Sequence, residues 1–301
     1  METGGIGRPG GTCLIAGCGY AGTRLARRLG SQGPVLALVR AQAAAAELTR
    51  EGIPAQVFDF DGACPEAAPA MAQAAGAMVY LAPPPTAGRE DPRLRRFLTF
   101  MDSAHPEVLL YLSTTGVYGN TGGAPVDEAS PTVPGEDRSR RRLDAERQAG
   151  RWCAARGVRC VIFRVPAIYG PWRLPLDRLR LGEPVLRIEE SGPGNRIHVD
   201  DLVEACLAAL ARPVAGVFNL TDGASESMTA FLKRVAALAD LPQPPEVSWA
   251  EAQEAISPGM LSYLRESRLV IGERARTVLG LCLRYPDPGE GIRASLAEMG
   301  Q

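Results

Sequence analysis

The chain of 301 residues is 46% hydrophobic and 22% charged, the proportions of a globular protein long enough for one large domain and a smaller companion. Its 33 basic and 34 acidic side chains leave a formal charge of −1, which excludes the basic footprint of a nucleic-acid binder and points to a small-molecule partner. Seven cysteines, odd in number and without a CxxC pair, suggest neither a disulfide framework nor a metal site, and fit reduced thiols in a cytoplasmic protein.

Residues 1–11, METGGIGRPGG, offer nothing to bury and read as a flexible tail. From Thr12 onward, short apolar runs alternate with longer stretches of helical period. The strands expected are 12–16, 35–39, 55–60, 77–82, 108–113 and 158–164, with helices near 20–30, 41–51, 65–75, 92–104 and 137–156 between them. Strands without polar alternation, separated by helices, mark a parallel sheet covered on both faces, and right-handed crossovers make it an α/β doubly wound parallel sheet of Rossmann type. After residue 170 the texture turns Pro- and Gly-broken, with helices near 200–211 and 227–239 around a strand at 216–220. This predicts a dinucleotide-binding domain over 12–170 and a smaller substrate lobe over 171–301, partly interwoven, with some segments returning to the main sheet. The uncharged stretch from Ala67 to Gly88 is interrupted by Pro69 and by Pro83 to Pro85, so no membrane segment is expected.

Gly17-Cys18-Gly19-Tyr20-Ala21-Gly22 follows the first strand and opens a helix with Leu25, Ala26 and Leu29 on one face. In a GxGxxG loop the first glycine permits a tight turn, the second lets backbone approach a pyrophosphate, and the third lets helix and strand close. The helix N-terminus adds free N–H groups and partial positive charge, so Tyr20 and Ala21 join the glycines as cofactor-binding positions. Leu81 and Ala82, ending the fourth strand, border the same groove. An NAD site places Asp or Glu at the end of the second strand, whereas here Val39 is followed by Arg40 and no carboxylate comes before Glu47. A guanidinium holds phosphate through two parallel bonds, so Arg40 selects NADP. Asp59 and Phe60, after the third strand, are placed to border the adenine, though an Asp that starts a turn fits Asp59 nearly as well.

Four further strings stand in order after the loop: STTGVYG (113–119), RVPAIYGP (164–171), IHVDDL (197–202) and GVFNLTDG (216–223). Together with the loop they resemble the extended short-chain dehydrogenase/reductase superfamily, of NAD(P)-dependent epimerase/dehydratase type, over residues 12–285, with GxGxxG similar to its atypical members. The resemblance implies that Thr114 orients the substrate oxygen and that Tyr169 lines the nicotinamide. It also implies a Tyr-x-x-x-Lys pair, and this chain lacks one. The matching stretch puts Arg138 at the Tyr position and Arg142 at the Lys position, no Tyr occurs between 118 and 169, and the single lysine is Lys233. Arginine stays protonated and cannot shuttle a proton, which leaves Tyr118 or a substrate group as stand-in acid and Arg142 as a ribose contact. Arg138 and Arg142, one helical turn apart, share a face and would grip an anion, as would Arg196, for which a surface role fits equally. His198 reads as a structural residue at a helix start. The expectation is an NADP-dependent oxidoreductase or epimerase-like enzyme acting on an anionic small molecule, with a catalytically inactive NADP-binding regulatory protein as the alternative.

Overall fold

The structure, a computed structural model, describes residues 9–63 and 65–300. In chain order the elements are β1 Thr12–Ala16, α1 Tyr20–Gly30, β2 Val35–Val39, α2 Gln42–Arg50, β3 Ala55–Val57, α3 Ala68–Ala74, β4 Ala75–Tyr80, α4 Pro92–Phe100, β5 Val108–Thr114, β6 Pro125–Val126, α5 Asp137–Ala154 and β7 Arg159–Val165. There follow β8 Ala167–Tyr169, α6 Leu176–Arg180, β9 Val185–Leu186, β10 Arg196–His198, α7 Val199–Ala211, β11 Gly216–Asn219, α8 Met228–Leu238, β12 Glu246–Val247, α9 Trp249–Ala255, α10 Pro258–Leu264, β13 Leu269–Val270, α11 Glu273–Val278 and α12 Pro288–Met299.

Seven strands form one parallel sheet in the order β11-β7-β5-β4-β1-β2-β3. Along β1, Cys13 and Ile15 join a core with Leu25 and Leu29 of α1 and Leu202 of α7, while Leu14 and Ala16 join another with Met71, Leu94 and Ala145 of α3, α4 and α5. Both faces are therefore buried, the physical reason the strands carry no polar alternation. Of the segments beyond residue 170, β11 returns to the edge of the main sheet beside β7, and α7 packs on the same face as α1. α11 and the residue after it join that core through Ala275 and Leu279, and much of the remainder builds a lobe whose core joins Leu176, Val185, Phe231, Val235, Ile292 and Leu296.

Residues 1–8 of the expected tail lie outside the described residues. Its last three are tied down: Pro9 is buried and Gly10 N donates to Glu107 Oε1 at 3.0 Å. The third strand stops at Val57, three residues short of the expectation. Phe58 and Phe60 turn inward to an aromatic cluster with Phe97 and Tyr80, and apolar burial overrides strand continuation there. Three pairs absent from the sequence reading, β6 with β13, β8 with β10 and β9 with β12, each join two or three residues distant in the chain. The first two tie later segments to those that follow β5 and β7, the third joins two segments within the lobe, and strands so short carry no period to read.

Candidate functional site

Gly17 adopts φ +86°, and a Cβ there would stand 2.4 Å from the Ala82 backbone nitrogen. The first glycine thus lets the end of β1 pass against the end of β4. A Cβ on Gly22 would meet Gly17 O at 3.2 Å and Leu81 Cδ1 at 3.3 Å, so the third glycine closes helix on strand. Gly19 differs: beyond its own chain neighbours, no atom lies within 4 Å of a Cβ built on it. It caps α1 without a side-chain bond, and no acidic residue occupies the first turn. Open space above a bare helix N-terminus fits a dinucleotide's pyrophosphate. Tyr20 frames the loop by donating its hydroxyl to Pro171 O at 2.9 Å, and Ala21 follows in the first turn.

At the end of β2, Arg40 is exposed. The nearby Asp61 carboxylate is gripped by Arg93 through Nε at 2.8 Å and Nη2 at 2.5 Å, which holds it below its usual range, with Arg40 and Arg96 adding to the effect. Asp59 is exposed and starts a turn, its Oδ1 accepting from Asp61 N at 3.0 Å. Phe60, expected beside the adenine, is instead buried in the aromatic cluster, because the inward bend after Val57 aims its ring at Tyr80.

A cavity of about 600 Å³ opens where β5, α5, β8, α8 and α10 converge. Thr114 lines it at the end of β5, its hydroxyl accepting from Gly116 N at 3.2 Å. Arg138 and Arg142 line it together, joined by Arg141, which the sequence reading passed over although it lies three residues from Arg138 on the same helix. Arg142 donates to Leu112 O at 2.9 Å, Arg141 to Gly88 O at 2.6 Å and Arg138 to Ser262 Oγ at 2.7 Å. None of the three has a carboxylate within 4.0 Å among the described residues, and Arg138 Nη2 and Arg141 Nε are buried without a partner. The opposite wall, from the lobe, holds Met228, Met260, Tyr263, Glu266 and Arg268. None of these was singled out from sequence, because distant segments bring them there and no local motif announces them.

Three expected positions are corrected. Tyr118 lies in a 3₁₀ turn that swings its ring into a cluster with Val126, Leu143 and Val270, where the hydroxyl donates to Asn219 Oδ1 at 2.8 Å and burial pushes the phenol up. It is a core residue and does not line the cavity. Tyr169 alternates with Ile168 along β8, so Ile168 lines the cavity while Tyr169 packs between His198 and Phe231 in the lobe core. Arg196 is 3% exposed, pairs with Glu226 at 3.4 Å, stacks on Phe231 at 4.3 Å and lines a smaller adjoining space. Its charge is already met.

His198 caps α7, Nδ1 accepting from Asp200 N at 3.2 Å, and burial pushes the imidazole down to about 4. Asp201 accepts from Arg284 N and Tyr285 N, which ties the C-terminal segment down. Beneath the lobe, Asp222 Oδ1 accepts from Ala224 N while Oδ2 has no partner, and burial, opposed by Arg196, pushes the carboxyl up to about 7. The folded state keeps this proton where the unfolded chain, near 3.8, has lost it. Asp222 therefore costs stability progressively from about pH 4 to 7, by a few kcal/mol at most, while His198 adds stability from about pH 4 to 6.5. The Asp222→Asn variant is expected to gain melting temperature over the wild type increasingly from pH 4 to 7.5. Calorimetry at matched pH checks this, and a constant difference would contradict it.

The model of the family described as "NAD dependent epimerase/dehydratase family" matches residues 13–221. The chain belongs to that family. A structure of a conserved protein of unknown function from Silicibacter pomeroyi is similar at 29% identity and a TM-score of 0.80, over 97% of this chain and 100% of that one. UDP-glucose 4-epimerase from Thermotoga maritima, solved with UDP-glucose, shares the fold at 16% identity and a TM-score of 0.77, over 96% and 98%. A curated protein from a Streptomyces species, 3-diazoavenalumate denitrifying reductase, is 28% identical over 138 residues, 44% of this chain. The match spans 45% of that relative's length, less than half. Family membership carries a nicotinamide dinucleotide as cofactor class, and the family member lacks the Tyr-x-x-x-Lys pair that the sequence resemblance implied.

Proposed function

We propose that the protein is an NADP(H)-dependent oxidoreductase acting on a small anionic molecule without a tyrosine–lysine pair. The carrying observation is the set of three arginines, Arg138, Arg141 and Arg142, that share a cavity wall with Thr114 and have no carboxylate partner among the described residues. Arg141 is buried and Arg138 and Arg142 are half-buried, so guanidinium charge without a carboxylate partner is costly there, and an anion would offset that cost.

In this reading the α1 N-terminus and Gly19 receive the pyrophosphate, and Arg40 receives the 2′-phosphate. The nicotinamide, when bound, supplies or accepts a hydride. Thr114 donates its hydroxyl proton in a hydrogen bond that orients the reacting group, while Arg138 and Arg141 hold the anionic end. Arg142, fixed against Leu112 O, places positive charge where negative charge develops on the substrate and also reaches the ribose. With no phenol of α5 in place, the proton comes from water or from the substrate itself. The name of the Streptomyces relative, a reductase, agrees with this class.

Calorimetric titration with NADPH and NADH tests the cofactor half. A preference for NADPH of roughly ten- to a hundredfold is expected from one bidentate charge-assisted contact, and Arg40→Asp should reverse the order. Equal affinities would remove Arg40 from this role.

A further inference from the structure

We propose that the substrate is a monocarboxylate with a flat apolar body, and not a nucleotide-diphosphate sugar. The inference rests on the anion-binding reading above and adds what the remaining walls accept. Arginines that reach the cavity or its neighbour from the lobe are already neutralised: Arg268 by Glu266 at 2.5 Å and Arg196 by Glu226 at 3.4 Å. Among the described arginines of these two spaces, those without a carboxylate partner therefore lie at the α5 end, and no such arginine stands at the far end to hold a second, more distant phosphate. Beyond Tyr263 the space narrows to about 50 Å³, room for a few waters and not for a nucleoside.

Between these ends the wall carries an apolar stretch beside the Glu266–Arg268 pair. Pro166 and Ile168 face it from the sheet side, and Met228 and Met260 from the lobe. Tyr263, 40% exposed although it stands in a concave wall, presents ring surface to the same space. Thioethers beside an open ring favour an aromatic or similarly planar guest, because polarizable sulfur gains most against a π-face or edge. In the reading above the nicotinamide takes part of the roughly 600 Å³, and a body of one or two fused rings fits within what remains.

The test is calorimetric titration of the NADP⁺-saturated protein with 2-naphthoate, acetate, 2-naphthamide and UDP-glucose. Naphthoate is expected to bind at least about tenfold more tightly than each of the others, through buried apolar area relative to acetate and through charge relative to the amide. Arg138→Gln should narrow the gap between naphthoate and naphthamide several-fold. Met260→Ala and Tyr263→Ala should each weaken naphthoate several-fold and leave acetate unchanged, with NADP⁺ affinity the control for folding. Tightest binding of UDP-glucose, or naphthoate no tighter than acetate while acetate binding still depends on Arg138, overturns the proposal and leaves the anion reading standing. Failure of both carboxylates to bind, with Arg138→Gln changing nothing, overturns both.

Discussion

Replacing Glu146 with Leu is expected to destabilise the protein by about 3–5 kcal/mol, a fall in melting temperature of roughly 6–15 °C. Glu146, on α5, accepts from Arg164 Nε at 3.1 Å and Nη2 at 2.8 Å and from Ser113 Oγ at 2.5 Å, with both charged side chains almost wholly buried. The arginine also lies over the Tyr118 ring at 4.8 Å. Removing the carboxylate strands a buried guanidinium, and that orphaned charge dominates the loss. The double variant Glu146→Leu with Arg164→Met removes both charges and should recover most of the stability. Thermal unfolding measures both, and a single variant within 1 kcal/mol of the wild type would show the pair to be solvated. Because Ser113 precedes Thr114 and Glu146 sits one helical turn after Arg142, the Ser113–Glu146 hydrogen bond also ties the strand to the helix that together form the cavity.

The second expectation separates two glycines of one loop. Gly17→Ala must move the backbone of β1 or of Ala82, since the added carbon lands 2.4 Å from Ala82 N at a φ of +86°, so both melting temperature and dinucleotide affinity should fall. Gly19→Ala adds its carbon where, beyond its own chain neighbours, no protein atom lies within 4 Å, at a φ of −97° that alanine tolerates. The apo protein should melt within about 2 °C of the wild type, a surface-like substitution, while NADPH affinity falls at least about tenfold, equivalent to ~1.4 kcal/mol. Fluorescence titration and calorimetry on the same preparations check this. Unchanged affinity in Gly19→Ala would place the pyrophosphate elsewhere.

The sheet and the dinucleotide loop were legible because their determinants are local. Uninterrupted apolar runs such as Val35–Val39 and Val108–Ser113 need burial on both faces, and Gly17, Gly19 and Gly22 stand at the spacing the turn, the opening and the helix contact each require. Two helices of the lobe also announce themselves in hindsight: Ser248 and Glu251 form a capping box on α9, and Asp287-Pro288 starts α12. The absence of a Tyr-x-x-x-Lys pair was legible directly, since the one lysine in 301 residues, Lys233, has Thr229 four residues before it.

Only the tertiary structure decided which charges are free. Arg196 and Arg138 look alike as sequence positions, yet folding brings Glu226 to the first and no carboxylate to the second among the described residues. Tyr118, expected as a stand-in acid, and Tyr169, expected beside the nicotinamide, were drawn into cores by a 3₁₀ turn and by strand alternation, neither of which a residue's neighbours in sequence fix on their own. Met260, Tyr263 and Arg268 reach the cavity because α10 and the two-residue pair β6–β13 fold back across more than a hundred residues of chain. Local patterning sets the frame that binds a dinucleotide; pairing between distant side chains sets which molecule can stand beside it.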